Sequence, residues 1–175
     1  MPDPQGHRDF EQTVLPHLDA AYNLARWLTR NDQDAEDVVQ EACLRALKFY
    51  SGFQGGDGRA WLLAIVRNTG YTWLQKHRVR EQALPLEETH DLIPDGGCGP
   101  EELALRSVDK EILRQAVEAL PIENREVIVL RELEGLSYKE IATIADLPIG
   151  TVMSRLARGR QRLQRDLAAR MNEEV

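Results

Sequence analysis

Hydrophobic residues recur every three to four positions along most of this chain, which is the spacing of one face of an α-helix. The pattern predicts a helix near the start, a second over residues 31–49, capped by Asn31 or Asp32, and a third over residues 59–78. Between the second and third helices, residues 51–58 contain four glycines and are expected to form a loop. The first helix has an apolar stripe of Phe10, Val14, Leu18, Ala21, Ala25 and Leu28.

A change of composition divides the chain. Residues 80–102 contain three prolines, three glycines and seven acidic residues. Low hydrophobicity and high charge favour an extended, flexible segment, because such a segment has too little apolar surface to bury. This stretch is therefore expected to be a linker.

The pattern is helical on both sides of the linker. Helical spacing resumes near Leu103, Pro121 is suited to the first position of the next helix, and Gly135 is suited to its end. No segment has the period of two that a half-buried β-strand needs. The sequence therefore predicts an all-α protein of two small helical domains, residues 9–79 and 103–172, joined by a flexible acidic linker.

The last third of the chain has the pattern of a helix-turn-helix. Ser137 and Glu140 have the spacing of a capping box, so a short helix is expected to begin there. Asp146, Leu147 and Pro148 then interrupt this helix, since proline cannot continue a helical hydrogen-bond ladder. A second helix is expected from about Ile149, with a buried stripe of Val152, Leu156, Leu163 and Leu167.

This second helix is strongly basic. From Ile149 to Arg165 the chain has five arginines and no acidic residue. A short capped helix, a tight turn and a cationic amphipathic helix are typical of a protein that reads the major groove of DNA. The alternative is a helical hairpin with a solvated basic face.

The net charge of −7 looks unsuited to a DNA-binding protein, but the charge is unevenly distributed. Residues 81–111 contain nine acids and two bases, which accounts for the whole excess. Residues 58–80, in contrast, contain five lysines and arginines and no acid. Local patches therefore say more about nucleic-acid binding than the whole-chain charge does.

The helix over residues 59–78 combines bases with aromatic residues. Aromatic rings stack on unpaired bases while cations hold phosphates, so this mixture suits single-stranded DNA. The loop before the helix is placed to wrap around a flipped-out base. The alternative is that Trp61 and Trp73 belong to the core. The candidate contacts are Phe53, Gln54 and Asp57 of the loop and Arg67, Tyr71, Gln75 and Arg78 of the helix.

Other classes of protein find little support. Cys43 and Cys98 have no partner spacing, and the four histidines form no ligand cluster, so no metal or cofactor is expected. The polar N-terminus is not a signal peptide, and no apolar run approaches the length of a membrane span. An enzyme needs clustered acids or a histidine–acid pair in a cleft. The dense acids of residues 34–41 instead suit a solvated or docking face.

Five sequence segments stand out in order along the chain. They are residues 34–46 (DAEDVVQEACLRA), 59–69 (RAWLLAIVRNT), 120–131 (LPIENREVIVLR), 134–142 (EGLSYKEIA) and 148–156 (PIGTVMSRL). Together they resemble the extracytoplasmic-function (ECF, group IV) sigma factors of the bacterial sigma-70 family. The first segment is similar to the polymerase-binding helix of that family and the second to its promoter-melting helix. The other three resemble the domain that binds the −35 element.

The resemblance implies three sets of site residues and no catalytic residue. Core RNA polymerase is bound by Asp37, Gln40, Glu41 and Arg45. The −10 element is bound by the loop and helix residues Phe53, Gln54, Arg67, Asn68, Tyr71, Gln75 and Arg78. The −35 element is bound by Thr151, Ser154, Arg155, Arg158 and Arg162.

The resemblance also implies partners. These are core RNA polymerase, through the β′ clamp helices and the β subunit, promoter DNA in the bacterial cytoplasm, and a separate anti-sigma factor. Met153 departs from the family, which often has lysine or arginine there, so the −35 preference is expected to differ. The alternative function is a helix-turn-helix regulator that acts on duplex DNA alone.

Overall fold

The structure, a computed structural model, describes residues 4–81 and 102–173. Every regular element in these two ranges is helical, which confirms the all-α expectation. Most of the predicted linker, residues 82–101, lies outside the described residues. The N-terminal half consists of α1 (Pro4–Val14), α2 (Leu18–Thr29), α3 (Asp32–Phe49) and α4 (Gly58–Glu81). The C-terminal half consists of α5 (Glu102–Glu118), α6 (Ile122–Ile128), α7 (Tyr138–Ala145) and α8 (Ile149–Glu173).

The single helix predicted near the start is wrong, because the structure has two helices there. A 3₁₀ turn over Leu15–His17 separates α1 from α2. Pro16 lies in this turn, and a proline removes one helical hydrogen bond and clashes with the carbonyl four residues earlier. The predicted stripe is nevertheless largely buried on both sides of the break, at Val14, Ala21, Ala25 and Leu28.

Helices α2, α3 and α4 pack together as the core of the N-terminal half. The Asn31 side chain accepts a hydrogen bond from the Asp34 amide at 3.0 Å, so Asn31 is the cap of α3. Asp57 accepts from the Ala60 amide at 3.2 Å, and α4 begins at Gly58, one residue earlier than expected. The small buried residues of α3, which let the neighbouring helices approach closely, are Ala35, Ala42 and Ala46.

The C-terminal half follows the predicted order with one small shift. Pro121 precedes the first helical residue, Ile122, rather than being it, because its ψ of 143° is extended. A π-helical turn over Val129–Leu133 continues α6. Gly135 then has a φ of +67°, which glycine adopts without strain, and it ends this segment as predicted.

The helix-turn-helix forms as the sequence predicts. The Ser137 hydroxyl accepts a hydrogen bond from the Glu140 amide at 3.1 Å and caps α7. Val152, Leu156 and Gly159 of α8 are buried, and α8 packs against α6. A β-carbon at Gly159 would lie 2.9 Å from Ile128 Cγ1, so only glycine fits at this crossing.

The two halves contact each other directly. Helix α4 packs against α7, and α2 packs against α6. Buried apolar residues of both halves, from Val14 to Leu156, form one continuous cluster. Helix α4, which carries predicted −10 residues, thereby packs against the first helix of the helix-turn-helix.

Candidate functional site

The outer face of α3 is acidic and exposed. Asp37, Gln40 and Glu41 are all exposed, while the half-buried Arg45 donates from Nε to Glu41 at 3.1 Å. Leu44 and Leu47 lie on the same helix with 65% and 44% of their surface exposed. Exposed leucines beside acids are typical of a surface that binds another protein. Sequence reasoning missed these two leucines, although Leu44 lies between the buried residues Ala42 and Ala46 and Leu47 directly follows Ala46.

The loop between α3 and α4 is anchored by aromatic rings. Phe53 is half-buried, and its ring centroid lies 4.9 Å from that of Trp61 and 5.8 Å from that of Tyr50. Gln54 is exposed, and Gly55 and Gly56 follow with φ values of +83° and +97°. Trp61 therefore packs in an aromatic cluster. This position agrees with the alternative that Trp61 belongs to the core. The loop presents polar and backbone groups outward from this anchor.

The predicted −10 residues of α4 divide into two groups. Asn68, Gln75 and Arg78 are exposed. Arg67 and Tyr71 are only partly exposed, because they face the C-terminal half. The Arg67 guanidinium lies 4.1 Å from the centre of the Tyr71 ring, which is cation–π geometry.

Glu126 of α6 is the partner of Arg67. Its two carboxylate oxygens accept from Arg67 Nε at 3.0 Å and from Nη2 at 3.3 Å, while the glutamate has no exposed surface. The predicted −35 residue Arg155 also approaches it, with 3.7 Å between Nη1 and a carboxylate oxygen. Burial, and then the charge of Glu126, raise the pKa of Tyr71. One carboxylate thus contacts arginines from both predicted DNA surfaces.

The predicted −35 residues lie along the outer side of α8. Ser154, Arg158 and Arg162 are exposed, and Thr151 is half-buried. Arg160, in contrast, pairs with Glu132 at 2.6 Å and is held against its own half. Ile149 and Met153, one helical turn apart, are exposed by 46% and 51% and add an apolar strip to this basic face.

Arg125 is a second buried charge that links the halves. Its Nη1 donates to the Trp27 carbonyl at 2.9 Å and to the Leu28 carbonyl at 3.4 Å, near the end of α2. Its Nη2 donates to the Leu120 carbonyl at 3.0 Å. Burial, and then the charge of Arg30, lower the pKa of Arg125 to about 10, so the side chain stays protonated at neutral pH.

Ion pairs at the edge of the interface reinforce this contact. Arg59 Nη2 donates to the Glu134 carboxylate at 3.0 Å and to the Glu134 carbonyl at 2.6 Å. Arg26 pairs with Glu118 at 3.3 Å. Sequence reasoning singled out none of the acids in these pairs. The available signal was the placement of Arg125 and Glu126 beside the buried apolar run that follows them.

Within residues 4–81 and 102–173, no group of histidine, cysteine or acidic residues is arranged to hold a metal ion. Over the same two ranges, the helices lack the length and apolar character needed to cross a membrane.

Comparisons with known proteins identify the two halves. The chain is a helix-turn-helix protein whose residues 13–80 match the family model "Sigma-70 region 2" and whose residues 110–163 match "Sigma-70, region 4". The chain belongs to the sigma-70 family and, within it, to the ECF sigma factors.

Individual relatives agree with this assignment. The ECF RNA polymerase sigma factor SigE of Mycolicibacterium smegmatis is 36% identical over 94% of this chain, which spans 63% of the length of that protein. The ECF RNA polymerase sigma-E factor of Escherichia coli is 38% identical over 73% of this chain and 71% of its own length. The sigma factor RpoE of Bartonella quintana, solved with the anti-sigma factor NepR, aligns with a TM-score of 0.74 and 30% identity. That alignment covers 92% of this chain and 98% of RpoE.

The buried position of Arg125 generates a prediction for stability. Replacing Arg125 with methionine leaves the Trp27 and Leu28 carbonyls without this donor and should lower the free energy of unfolding by about 1–3 kcal/mol. Urea denaturation followed by circular dichroism measures the loss. Arg30→Met is the control, because Arg30 is exposed and the hydrogen bond from its guanidinium to the Glu118 carbonyl is 3.4 Å long. Equal effects of both substitutions would contradict the role given to Arg125.

Proposed function

We propose that this protein is a promoter-specificity subunit of bacterial RNA polymerase that works in the cytoplasm and catalyses no reaction of its own. The observation that carries the proposal is the presence, in order on one chain, of matches to sigma-70 regions 2 and 4. Residues 9–79 and 103–172 act as separate domains in this proposal, with residues 80–102 as the linker between them.

The outer face of α3 is the proposed docking surface for polymerase. Asp37, Gln40, Glu41 and Arg45 contact the clamp helices of the β′ subunit, and the remainder of the protein reaches the β subunit. Support comes from the exposure of the three acidic and amide side chains, and from the two exposed leucines beside them. Apolar surface of this kind contributes about 25 cal/mol per Å² when a partner covers it.

The loop after α3 and the exposed side of α4 are the proposed −10 surface. Gln54 and Asn68 hold a base flipped out of the non-template strand, in a loop that Phe53 anchors. Gln75 and Arg78 follow the strand along α4. Arg67 and Tyr71 join this surface only when the C-terminal half moves away, since both now face it.

Helix α8 is the proposed −35 reader. Thr151, Ser154, Arg155, Arg158 and Arg162 contact base edges and phosphates in the major groove. The exposed arginines and the well-formed helix-turn-helix support this role. A separate anti-sigma factor is the proposed regulator. It is supported by the likeness to RpoE, which was solved in a complex with one.

Single-round transcription with purified core polymerase tests both the function and the docking surface. Wild-type protein should direct transcription from promoters that share a two-part motif. Asp37→Arg combined with Gln40→Ala should abolish holoenzyme assembly, because it reverses a charge and removes a polar contact on one exposed face. Asp19→Arg is the control, since Asp19 is an exposed acid on α2, outside this face.

Two outcomes would contradict these assignments. Holoenzyme that still assembles with the double variant would place the docking surface elsewhere. A wild-type protein that yields no transcripts but binds duplex DNA tightly without polymerase would instead be a helix-turn-helix regulator.

Arg158→Ala should weaken the −35 contact while sparing the −10 contact. Loss of one arginine contact to a base or phosphate is expected to cost about 1–3 kcal/mol. The measurement compares holoenzyme activity on promoters altered separately at each element. Arg160→Ala is a matched control on the same helix, because Arg160 pairs with Glu132. If the two variants lose −35 activity equally, the assignment of Arg158 is wrong.

Met153 should make the −35 preference depend on thymine. A methionine cannot donate a hydrogen bond to guanine, but with Ile149 it offers an apolar strip for the thymine methyl group. Replacing the contacted thymine with deoxyuridine removes one methyl and should weaken wild-type binding by about 0.8 kcal/mol, or about fourfold. Met153→Ala should distinguish the two duplexes less than the wild type does, because Ile149 alone then offers a large apolar side chain. A wild-type protein that does not distinguish them would rule out this contact.

A further inference from the structure

The ion pair between Arg67 and Glu126 joins the two halves and engages an arginine that the proposed function assigns to DNA binding. Arg67 belongs to the proposed −10 surface and Arg155 to the −35 surface, yet both point at the Glu126 carboxylate. The Arg67 contact is bidentate, with distances of 3.0 and 3.3 Å, and Glu126 has no exposed surface. A carboxylate bound in this way accepts hydrogen bonds from the same guanidinium N–H groups that would otherwise donate to a DNA phosphate.

The arrangement around Glu126 extends to the aromatic group of the −10 surface. The Tyr71 ring lies under the Arg67 guanidinium at 4.1 Å and is only partly exposed. A ring covered by an arginine and by the opposing half cannot stack on an unpaired base. The contact therefore withdraws both the cation and the aromatic group from the −10 surface.

The cleft beside this contact brings further DNA-binding candidates together. Arg78 of α4 and Arg162 of α8 line one cleft of about 430 Å³ between the halves. Such a space holds roughly 14 water molecules at about 30 Å³ each, so a DNA duplex cannot enter it. Promoter DNA and the closed arrangement consequently compete for the same faces of the protein.

We propose that Glu126 is an internal latch: it holds the free chain closed by taking the place of promoter phosphates at Arg67 of the other half, and within its own half it also lies beside Arg155. This proposal rests on the DNA-binding role given above to Arg67. The closed form needs no partner in order to exist, because its ion pairs are all within the chain. Binding to promoter DNA then requires the chain to open first, which reduces the apparent affinity by the fraction of chain that is open.

The test combines a shape measurement with a DNA-binding measurement on the full chain. Small-angle X-ray scattering of the wild type should give a radius of gyration of about 16 Å, the value for a compact chain of this length. Glu126→Gln should raise it to about 20 Å or more as the halves separate. Binding is measured by fluorescence anisotropy with a duplex of about 20 base pairs at about 50 mM salt, where phosphate contacts dominate. Glu126→Gln should bind this duplex at least about tenfold more tightly, since the apparent affinity follows the open fraction.

A matched control separates the latch from simple charge. Glu123 lies on the same helix as Glu126 but is exposed, so Glu123→Gln removes the same charge without touching the contact. Its radius of gyration should equal that of the wild type, and its DNA affinity should rise far less than that of Glu126→Gln. Equal effects of the two substitutions would overturn the latch.

A second variant breaks the contact by replacing the arginine instead of the glutamate. For this variant the latch predicts a change in duplex affinity opposite to the change that charge alone predicts. Arg67→Gln removes a cation, so simple electrostatics predicts weaker binding to the duplex, whereas the latch predicts an open chain and tighter binding through α8. Arg78→Gln removes an exposed cation from the same helix and should weaken binding. Circular dichroism verifies that each variant keeps its helical content.

Three further results would overturn the proposal. The first is an expanded wild-type chain, and the second is a Glu126→Gln chain as compact as the wild type. The third is a Glu126→Gln chain that opens without gaining affinity for the duplex. None of these results bears on whether the protein directs polymerase to promoters, because the transcription assay measures that separately.

Discussion

The rest of this structure depends on two adjacent charges, Arg125 and Glu126, that α6 buries where the halves meet. A buried charge is tolerated only when it is paired with an opposite charge or satisfied by hydrogen bonds. Arg125 finds its partners in the carbonyls of α2, and Glu126 finds its own in the guanidinium of Arg67. Both partners lie in the other half of the chain. The position of α6 therefore determines which surfaces of the two halves remain free.

Most of the fold could be predicted because local rules determine it. The Asn31 and Ser137 caps and the φ of Gly135 each follow from a few neighbouring residues, and the structure confirms all three. The break at Pro16 follows from an equally local rule. The apolar stripe continues in register across this proline, so hydrophobic periodicity alone predicts one unbroken helix. The backbone N–H that proline lacks is the signal for the break.

The site could be predicted only as separate surfaces. The exposed acids of α3 and the arginines of α8 lie on helical faces that the sequence pattern locates. The opposition of Arg67 to Glu126 could not be predicted, because the two residues are far apart in sequence and their pairing depends on how two folded halves pack. A charged residue at a buried helical position signals an unseen partner, but it does not identify that partner.

The acidic residues that pair across the interface are largely not the ones that give the chain its net negative charge. Acids in residues 81–111 account for its net charge, but the acids that cross the interface, Glu118, Glu126 and Glu134, lie in α6 and its flanking segments. They pair with Arg26, Arg67 and Arg59 of the N-terminal half. The interface therefore matches acidic residues of the C-terminal half to basic residues of the N-terminal half. Because exposed ion pairs are screened by salt and buried ones far less, the pair of Arg67 with the buried Glu126 should be weakened less by salt than the pairs of Glu118 and Glu134.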